Sequence, residues 1–83
     1  MFVVYAIYNP IVNKIYIGQT NDIKARLAAH NNHTFSLSYT ARYPGEWKLF
    51  YTDEFSTRVE ALRREKQLKS YRGREFVRKY IPR

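Results

Sequence analysis

The chain contains no cysteine, which excludes both disulfide bonds and a cysteine-ligated zinc site. It has only two histidines, so we do not expect a site built from several imidazoles either. No apolar run approaches the roughly 20 residues of a membrane-spanning helix. The apolar stretch at residues 1–8 is too short for one and lacks a basic leader, so we expect no signal peptide. A chain without cysteine suits a reducing compartment, and we expect a cytoplasmic location.

Acidic residues are also scarce, and this shortage is the first indication of function. Seven Asp and Glu stand against fifteen Lys and Arg, which gives a formal net charge of +8 and a pI near 10.0. Most of the basic residues lie between Arg58 and Arg83, where there are only three acids. A basic surface binds phosphate backbones by releasing condensed counterions, so we expect a nucleic-acid partner and no membrane. The alternative is a surface whose charge serves only solubility.

The length bounds the architecture, because 83 residues are enough for one hydrophobic core and too few for two. We therefore expect a single domain that spans residues 1–83. Segments rich in β-branched and aromatic residues predict strands at 2–8, 14–18 and 47–51. Capping residues and apolar periodicity predict helices at 22–30, 58–69 and 74–80, with Gly73 separating the last two. These elements indicate an α/β fold of the α+β type.

The turn residues at 9–13 join the first two predicted strands into a hairpin. If the strands pair about the middle of this loop, Tyr8 faces Asn13 and Tyr5 faces Tyr16. Tyr5 and Tyr16 then stand side by side on one face of the sheet. A register slip of one residue would place them on opposite faces.

The first predicted helix carries two polar side chains of interest on one flank. Asp22 marks its start, and Ile23 and Leu27 form its apolar stripe. Arg26 and His30 are four residues apart and project together. A guanidinium suits phosphate oxygens and the charge that builds on a transferring phosphoryl group, and an imidazole can move a proton near neutral pH. The alternative is a solvated arginine and a histidine that caps its own helix.

The helix predicted at 58–69 begins with a capping box, in which Thr57 and Glu60 satisfy each other's free amides. Within this helix Glu65 lies near the middle of the apolar stripe, where an unpaired carboxylate is costly. Its neighbours on the helical wheel are Val59, Ala61, Leu62 and Leu68. An ion pair with Lys69, four residues later, is one explanation. A divalent metal is the other, since Mg²⁺ takes one or two carboxylates together with waters and substrate oxygens.

The strand tyrosines carry little information when they are taken one at a time. Tyr5 and Tyr16 are ordinary strand residues in a chain with eight tyrosines. A phenol acts as a base only when a cation lowers its pKa from roughly 10. Gly18 either permits a close approach of neighbouring groups or simply ends the second strand.

Taken together, these residues resemble the GIY-YIG nuclease signature. The order Tyr5, Tyr16-Ile17-Gly18, Arg26, His30 keeps the motif spacing of that superfamily. The first motif departs from the family name, since it reads Val3-Val4-Tyr5, a variation usual in the compact single-domain branch. The later matches are residues 60–69 around Glu65 and, in mid-domain, Thr40, Tyr43 and Trp47-Lys48-Leu49. The similarity extends over essentially the whole chain.

The resemblance implies a small three-stranded antiparallel sheet flanked by helices, and a metal-dependent endonuclease that acts on DNA. It implies that Tyr5 is the general base and that Tyr16 positions water and the scissile phosphate. Arg26 would stabilise the transition state, and His30 would be an auxiliary catalytic residue. Glu65 would hold the divalent ion, Mg²⁺ or Mn²⁺. Many larger relatives also have a late asparagine, which this chain lacks because no Asn follows Asn32.

The basic C-terminal third is predicted to bind the nucleic-acid backbone. The candidate residues are Lys66, Lys69, Arg72, Arg74, Arg78 and Lys79. Tyr39, Tyr43 and Trp47 could stack on unpaired bases, although packing in the core or in a loop is the simpler role for each. The alternative function is a non-catalytic nucleic-acid-binding module of the same fold. We expect a monomer or a weak homodimer.

Overall fold

The fold is a three-stranded antiparallel sheet with helices on both faces, as the sequence predicts. The computed structural model describes residues 1–32 and 40–82. Its elements in chain order are β1 (Phe2–Asn9), β2 (Lys14–Thr20), α1 (Ile23–Asn31), a 3₁₀ turn (Thr40–Arg42), β3 (Lys48–Phe55), α2 (Arg58–Lys69) and α3 (Tyr71–Arg78). The strand order is β2-β1-β3, so β1 is the central strand. In the described residues, every helix is too short or too polar to cross a membrane.

The hairpin register differs from the predicted one by two residues. Tyr5 lies opposite Gly18, and Tyr16 lies opposite Ile7. Because side chains alternate between faces with a period of two, a shift of two residues leaves both tyrosines on the same face. Their ring centroids are 6.4 Å apart, so the tyrosines are diagonal neighbours and not a directly opposed pair.

The hairpin loop lies at 10–13 instead of 9–12, and this displacement by one residue explains the shifted register. The last pair of the hairpin is Asn9 with Lys14, which leaves Asn13 inside the loop with a positive φ of 53°. The Asn9 carboxamide accepts a hydrogen bond from the Ile11 amide at 3.0 Å and donates one to the Pro44 carbonyl at 2.8 Å. An Asn side chain that bonds the backbone two residues later forms a turn, and here it also ties the turn to a distant segment. Loop symmetry along the sequence cannot reveal that second contact.

Both faces of the sheet are covered, and each has its own apolar cluster. Alternate residues of the central strand therefore point into different clusters. On one face the buried residues are Val4, Ala6, Ile15, Ile17, Ala61, Leu68 and Val77, which packs α2 and α3 on the sheet. On the other face they are Val3, Tyr5, Ile7 and Trp47, with Ile23 and Leu27 of α1 at the margin. Tyr5 thus belongs to the core under α1.

Trp47 lies in that core and does not begin β3 as predicted. Its backbone N–H donates to the Asn31 side chain at 2.7 Å, and its carbonyl accepts from the same side chain at 3.0 Å. Its indole N–H donates to the Thr40 carbonyl at 3.2 Å. Because Trp47 is only 1% exposed, it packs in the core and no face of its ring is open to a base. Tyr43 is half-buried beside the same cluster, and Tyr39 lies outside the described residues.

Local capping sets the starts of the first two helices where the sequence predicts them. Asp22 accepts a hydrogen bond from the Ala25 amide at 3.1 Å at the start of α1. Thr57 accepts one from the Glu60 amide at 3.3 Å at the start of α2. The Glu60 carboxylate accepts from the Thr57 hydroxyl at 2.9 Å, where a standard capping box would use the Thr57 amide.

Gly73 does not interrupt the chain, and the predicted boundary there is wrong. The break is at Ser70, whose hydroxyl accepts from the Gly73 amide at 3.1 Å and caps α3. Gly73 lies buried within α3, where a Cβ atom would overlap the Gln67 carbonyl oxygen and the Leu68 Cα. Glycine is therefore present because the backbones of α2 and α3 touch, and not because the helix ends.

We expect Gly73→Ala to destabilise the protein by about 1–3 kcal/mol, because overpacking forces the two helices apart. Helix propensity alone would produce the opposite sign, a stabilisation of up to about 1 kcal/mol. The free energy of unfolding in urea distinguishes the two. Glu75→Ala, an exposed change on the same helix, is the matched control. A stabilised Gly73→Ala variant would contradict the close contact.

Candidate functional site

The Tyr5 side chain lies across Gly18 of the neighbouring strand. A Cβ atom on Gly18 would lie 2.7 Å from Tyr5 Oη and 3.2 Å from a ring carbon of Tyr16. The distance to Tyr5 Oη is far below van der Waals contact, so a larger residue at this position would displace the phenol. Of the two roles considered for Gly18 from the sequence, the structure supports close approach. The glycine makes room for the hydroxyl group.

The Tyr5 hydroxyl forms a buried hydrogen bond with His30. Tyr5 Oη and His30 Nε2 are 2.8 Å apart, and each residue is 2% exposed. The other imidazole nitrogen, Nδ1, is 2.8 Å from Thr40 Oγ1. The Tyr16 ring also lies against the imidazole, with ring centroids 5.1 Å apart. His30 is therefore part of a buried polar chain and is not a solvated helix cap.

Electrostatics keep the His30 imidazole neutral. Burial lowers its pKa below the usual value, and the nearby Arg26 charge lowers it further. A neutral imidazole has one N–H and one acceptor nitrogen. Tyr5 can therefore donate to Nε2 while Nδ1–H donates to Thr40, or Thr40 can donate to Nδ1 while Nε2–H donates to Tyr5. Both arrangements fit the same heavy-atom distances.

Three other side chains act on the Tyr5 hydroxyl through space. Burial raises the pKa of Tyr5 well above its usual value, Tyr16 and Glu65 raise it further, and Arg26 opposes them. These groups come from β2, α2 and α1 respectively, so three elements converge on one phenol. Tyr5 consequently stays protonated near neutral pH unless additional positive charge approaches it.

Glu65 lies at the margin of the α2 interface and not in the middle of an apolar stripe. Val59 and Leu62 are 65% and 45% exposed, so only the Ala61 and Leu68 side of the predicted stripe is buried. The Glu65 side chain is 18% exposed and pairs with Lys69, with Oε2 and Nζ 2.7 Å apart. The ion-pair explanation for Glu65 is thus correct, and the metal explanation stays a prediction.

The donor set around Glu65 suits a hard divalent ion that keeps most of its water. In the part of the chain that the structure describes, no group of three or more His, Cys, Asp or Glu residues forms a closed metal cage. Mg²⁺ needs no such cage, because one carboxylate can hold it together with waters and phosphate oxygens. A partly exposed ion pair such as Glu65–Lys69 is worth at most about 1 kcal/mol, so exchanging Lys69 for a dication costs little.

The basic residues predicted to bind nucleic acid do not form one surface. Lys69 and Arg74 line a groove along β2 beside Tyr16, close to the polar chain. Arg72 lines a different groove between α2 and α3, and Arg78 lies beside the hairpin loop. Lys66 and Lys79 are exposed. The nucleic-acid role of all six stays a prediction, and Lys69 and Arg74 have the most suitable position.

Sequence reasoning missed two contributors to the site. Thr40 entered only as part of a family pattern, and its contact with His30 spans ten residues without any periodic signal. Arg58 lines a polar groove together with Arg26, although the two residues lie on different helices. Neither relation follows from local spacing, so only the tertiary structure reveals it.

Known proteins resemble this chain both in sequence and in structure. A sequence profile described as the GIY-YIG catalytic domain matches residues 1–80. A UPF0213 protein of Staphylococcus epidermidis is 37% identical over 57 residues, which cover 69% of this chain and 67% of that protein. One from Staphylococcus haemolyticus is 36% identical over 59 residues, covering 71% and 70%. The solution NMR structure of a UPF0213 protein from Bacillus halodurans is similar with a TM-score of 0.54 and 30% identity, covering 93% of this chain and 82% of that one.

Proposed function

Because the chain belongs to the GIY-YIG catalytic domain family, we propose that it is an endonuclease that hydrolyses phosphodiester bonds in DNA with the help of a divalent ion. The observation that carries this proposal is the environment of the Tyr5 hydroxyl. The Tyr5 hydroxyl forms a hydrogen bond with His30 at 2.8 Å and interacts electrostatically with Tyr16, Arg26 and Glu65. A base, a cation for phosphate and a carboxylate for a metal are the groups that this hydrolysis requires.

Tyr5 serves as the general base, and His30 prepares it for that role. A phenol can accept a proton from water only if it gives up its own. In the tautomer that leaves Nε2 unprotonated, the neutral imidazole can take the Tyr5 proton while the phenol oxygen takes one from the attacking water, so no free phenolate has to form in this buried site. The resulting imidazolium would donate from Nε2 to the Tyr5 oxygen and from Nδ1 to Thr40, and it would return the proton to the departing oxygen or to water to complete the turnover.

Arg26 and Tyr16 act on the phosphate. Both side chains are half-buried at the edge of the polar chain. Arg26 would offset the charge that develops on the phosphorus oxygens, and Tyr16 would hold the attacking water or the phosphate by its hydroxyl. Lys69 and Arg74 would bind the backbone in the groove beside Tyr16.

Glu65 is the residue that would hold Mg²⁺ or Mn²⁺, and the bound ion would polarise the phosphate as a Lewis acid. When Glu65 exchanges its partner, the Lys69 ammonium becomes available for the nucleic-acid backbone. Binding of the metal ion by Glu65 would therefore favour binding of the nucleic acid by Lys69.

The test is incubation of supercoiled DNA with the protein in Mg²⁺, in Mn²⁺ and in EDTA. We expect open-circular and then linear DNA with either metal and no conversion in EDTA. Excess metal added after EDTA should restore the activity, which controls for damage to the protein. DNA that is bound but stays supercoiled in both metals would contradict the proposal.

That negative outcome would support the second candidate, a nucleic-acid-binding module without turnover. One observation favours it: an ammonium group already neutralises Glu65 within the chain. A salt-dependent retardation of DNA without any metal effect would be its signature.

A further inference from the structure

A polar groove runs beside the site, at the end of β2 and between the starts of α1 and α2. Its lining residues are Phe2, Gln19, Thr20, Asn21, Arg26 and Arg58. The groove therefore continues from Arg26, which contacts the scissile phosphate in the proposed function, to Arg58 on another helix. No part of the proposed reaction uses Arg58.

The charge of this groove is entirely positive. Two guanidinium groups line it, and none of its lining residues is acidic. The nearby Asp22 carboxylate is engaged by the Ala25 amide at the start of α1. Among the described residues, Arg58 forms no ion pair with a carboxylate. An anion placed in this depression would be attracted by the Arg58 guanidinium.

The groove wall also offers a carboxamide group whose oxygen is uncommitted. The Gln19 side-chain oxygen is buried and has no hydrogen-bond partner among the described residues. Rotating this side chain toward a ligand would therefore break no hydrogen bond of that oxygen. A glutamine carboxamide can donate to a phosphate oxygen through its NH₂ group.

We infer that this groove is a second phosphate subsite, which binds the backbone phosphate next to the scissile one, with Arg58 as its principal contact. The inference rests on the proposed function, since that function places the scissile phosphate at Arg26. It gives the path of the bound strand, from the Lys69 and Arg74 groove past Arg26 to Arg58. The substrate class is a polynucleotide strand with at least two consecutive phosphates.

The experiment compares two short ligands, the thymidine dinucleotide TpT with one phosphate and the trinucleotide TpTpT with two. Binding is followed by NMR titration in EDTA, so that no cleavage is required. For the wild-type protein we expect TpTpT to bind roughly tenfold more tightly than TpT, because a guanidinium–phosphate contact is charge-assisted. The amide signals of residues 19–21 and Arg58 should shift with TpTpT and change little with TpT.

In Arg58→Gln the affinity for TpTpT should exceed the affinity for TpT by less than about twofold. The affinity for TpT itself should stay unchanged. Arg63→Gln is the matched control, since it removes the same charge from an exposed position on the same helix and should retain the full gain. The NMR spectra also report whether each variant is folded. The inference would be overturned if the affinity ratio of TpTpT to TpT were the same in Arg58→Gln and in the wild type. It would also be overturned if TpTpT shifted no amide signals at the groove of the wild-type protein. If Arg58→Gln had the expected effect on binding but the wild-type protein cleaved no DNA, the phosphate subsite would be supported and the proposed nuclease activity would be contradicted.

Discussion

Glu65→Gln is expected to lower the rate of DNA cleavage in Mg²⁺ by at least about a thousandfold, because the neutral amide cannot hold the divalent ion. The substitution preserves the size of the side chain. It also removes the Glu65–Lys69 ion pair, which contributes at most about 1 kcal/mol at this partly exposed position. The variant should therefore remain folded and should still bind DNA. The measurement is the initial rate of nicking of supercoiled DNA, alongside the free energy of unfolding.

Glu60→Gln is the matched control for that substitution. Glu60 lies five residues earlier on the same helix, is exposed, and accepts a hydrogen bond from Thr57. Its loss should reduce stability slightly and leave the cleavage rate within a factor of about two, since the carboxylate only caps a helix. If Glu65→Gln retained more than about a tenth of the wild-type rate, Glu65 would not be the metal ligand.

Tyr5→Phe is expected to reduce the cleavage rate by about 10²–10⁴-fold, which is the usual contribution of a general base. The phenyl ring keeps the packing against Val3, Ile7 and Trp47, so the core stays filled. His30 loses its partner at Nε2, and a buried polar atom without a partner costs about 1–3 kcal/mol of stability. Single-turnover rates and urea unfolding measure the two effects separately.

The same pair provides a stricter test through a double-variant cycle. If Tyr5 and His30 act as one unit, His30→Gln should lower the rate by a similar factor, and the combined variant should be little slower than either single one. Independent roles would instead multiply the two losses. If the rate loss of the double variant equalled the product of the two single losses, His30 would not act through Tyr5, and its role would be packing alone. Tyr8→Phe is the matched control, because its hydroxyl donates to Asn13 in the hairpin loop.

The features that the sequence predicts correctly are those determined by neighbouring residues. Asp22 and Thr57 mark helix starts because capping is a local interaction, and α2 begins and ends where predicted. The class of fold follows from the same local patterns. The metal role of Glu65 and the catalytic role of Tyr5 come from family resemblance, since the bare pattern left both open.

The predictions that failed depend on contacts between distant segments. The hairpin register is set partly by the bond from Asn9 to the Pro44 carbonyl, 35 residues away. The position of Gly73 is explained by the backbone of another helix, which a local preference for helix ends cannot detect. A helical wheel likewise treats all apolar residues alike, whereas the sheet covers Ala61 and leaves Val59 in solvent. The hydrogen bond between Tyr5 and His30 joins residues that are 25 positions apart, and no regular spacing in the sequence indicates it.

The phenol that we propose as the general base is also one of the largest buried side chains among the described residues. Tyr5 is held by a central strand with neighbours on both sides, by the glycine across from it and by a helix above it. The His30 partner of its hydroxyl is therefore placed at hydrogen-bond distance by folding itself. Residues that stabilise the fold are therefore also residues of the proposed active site. Substitutions beneath α1 that merely loosen packing, such as Ile7→Val, should lower activity before they measurably unfold the domain.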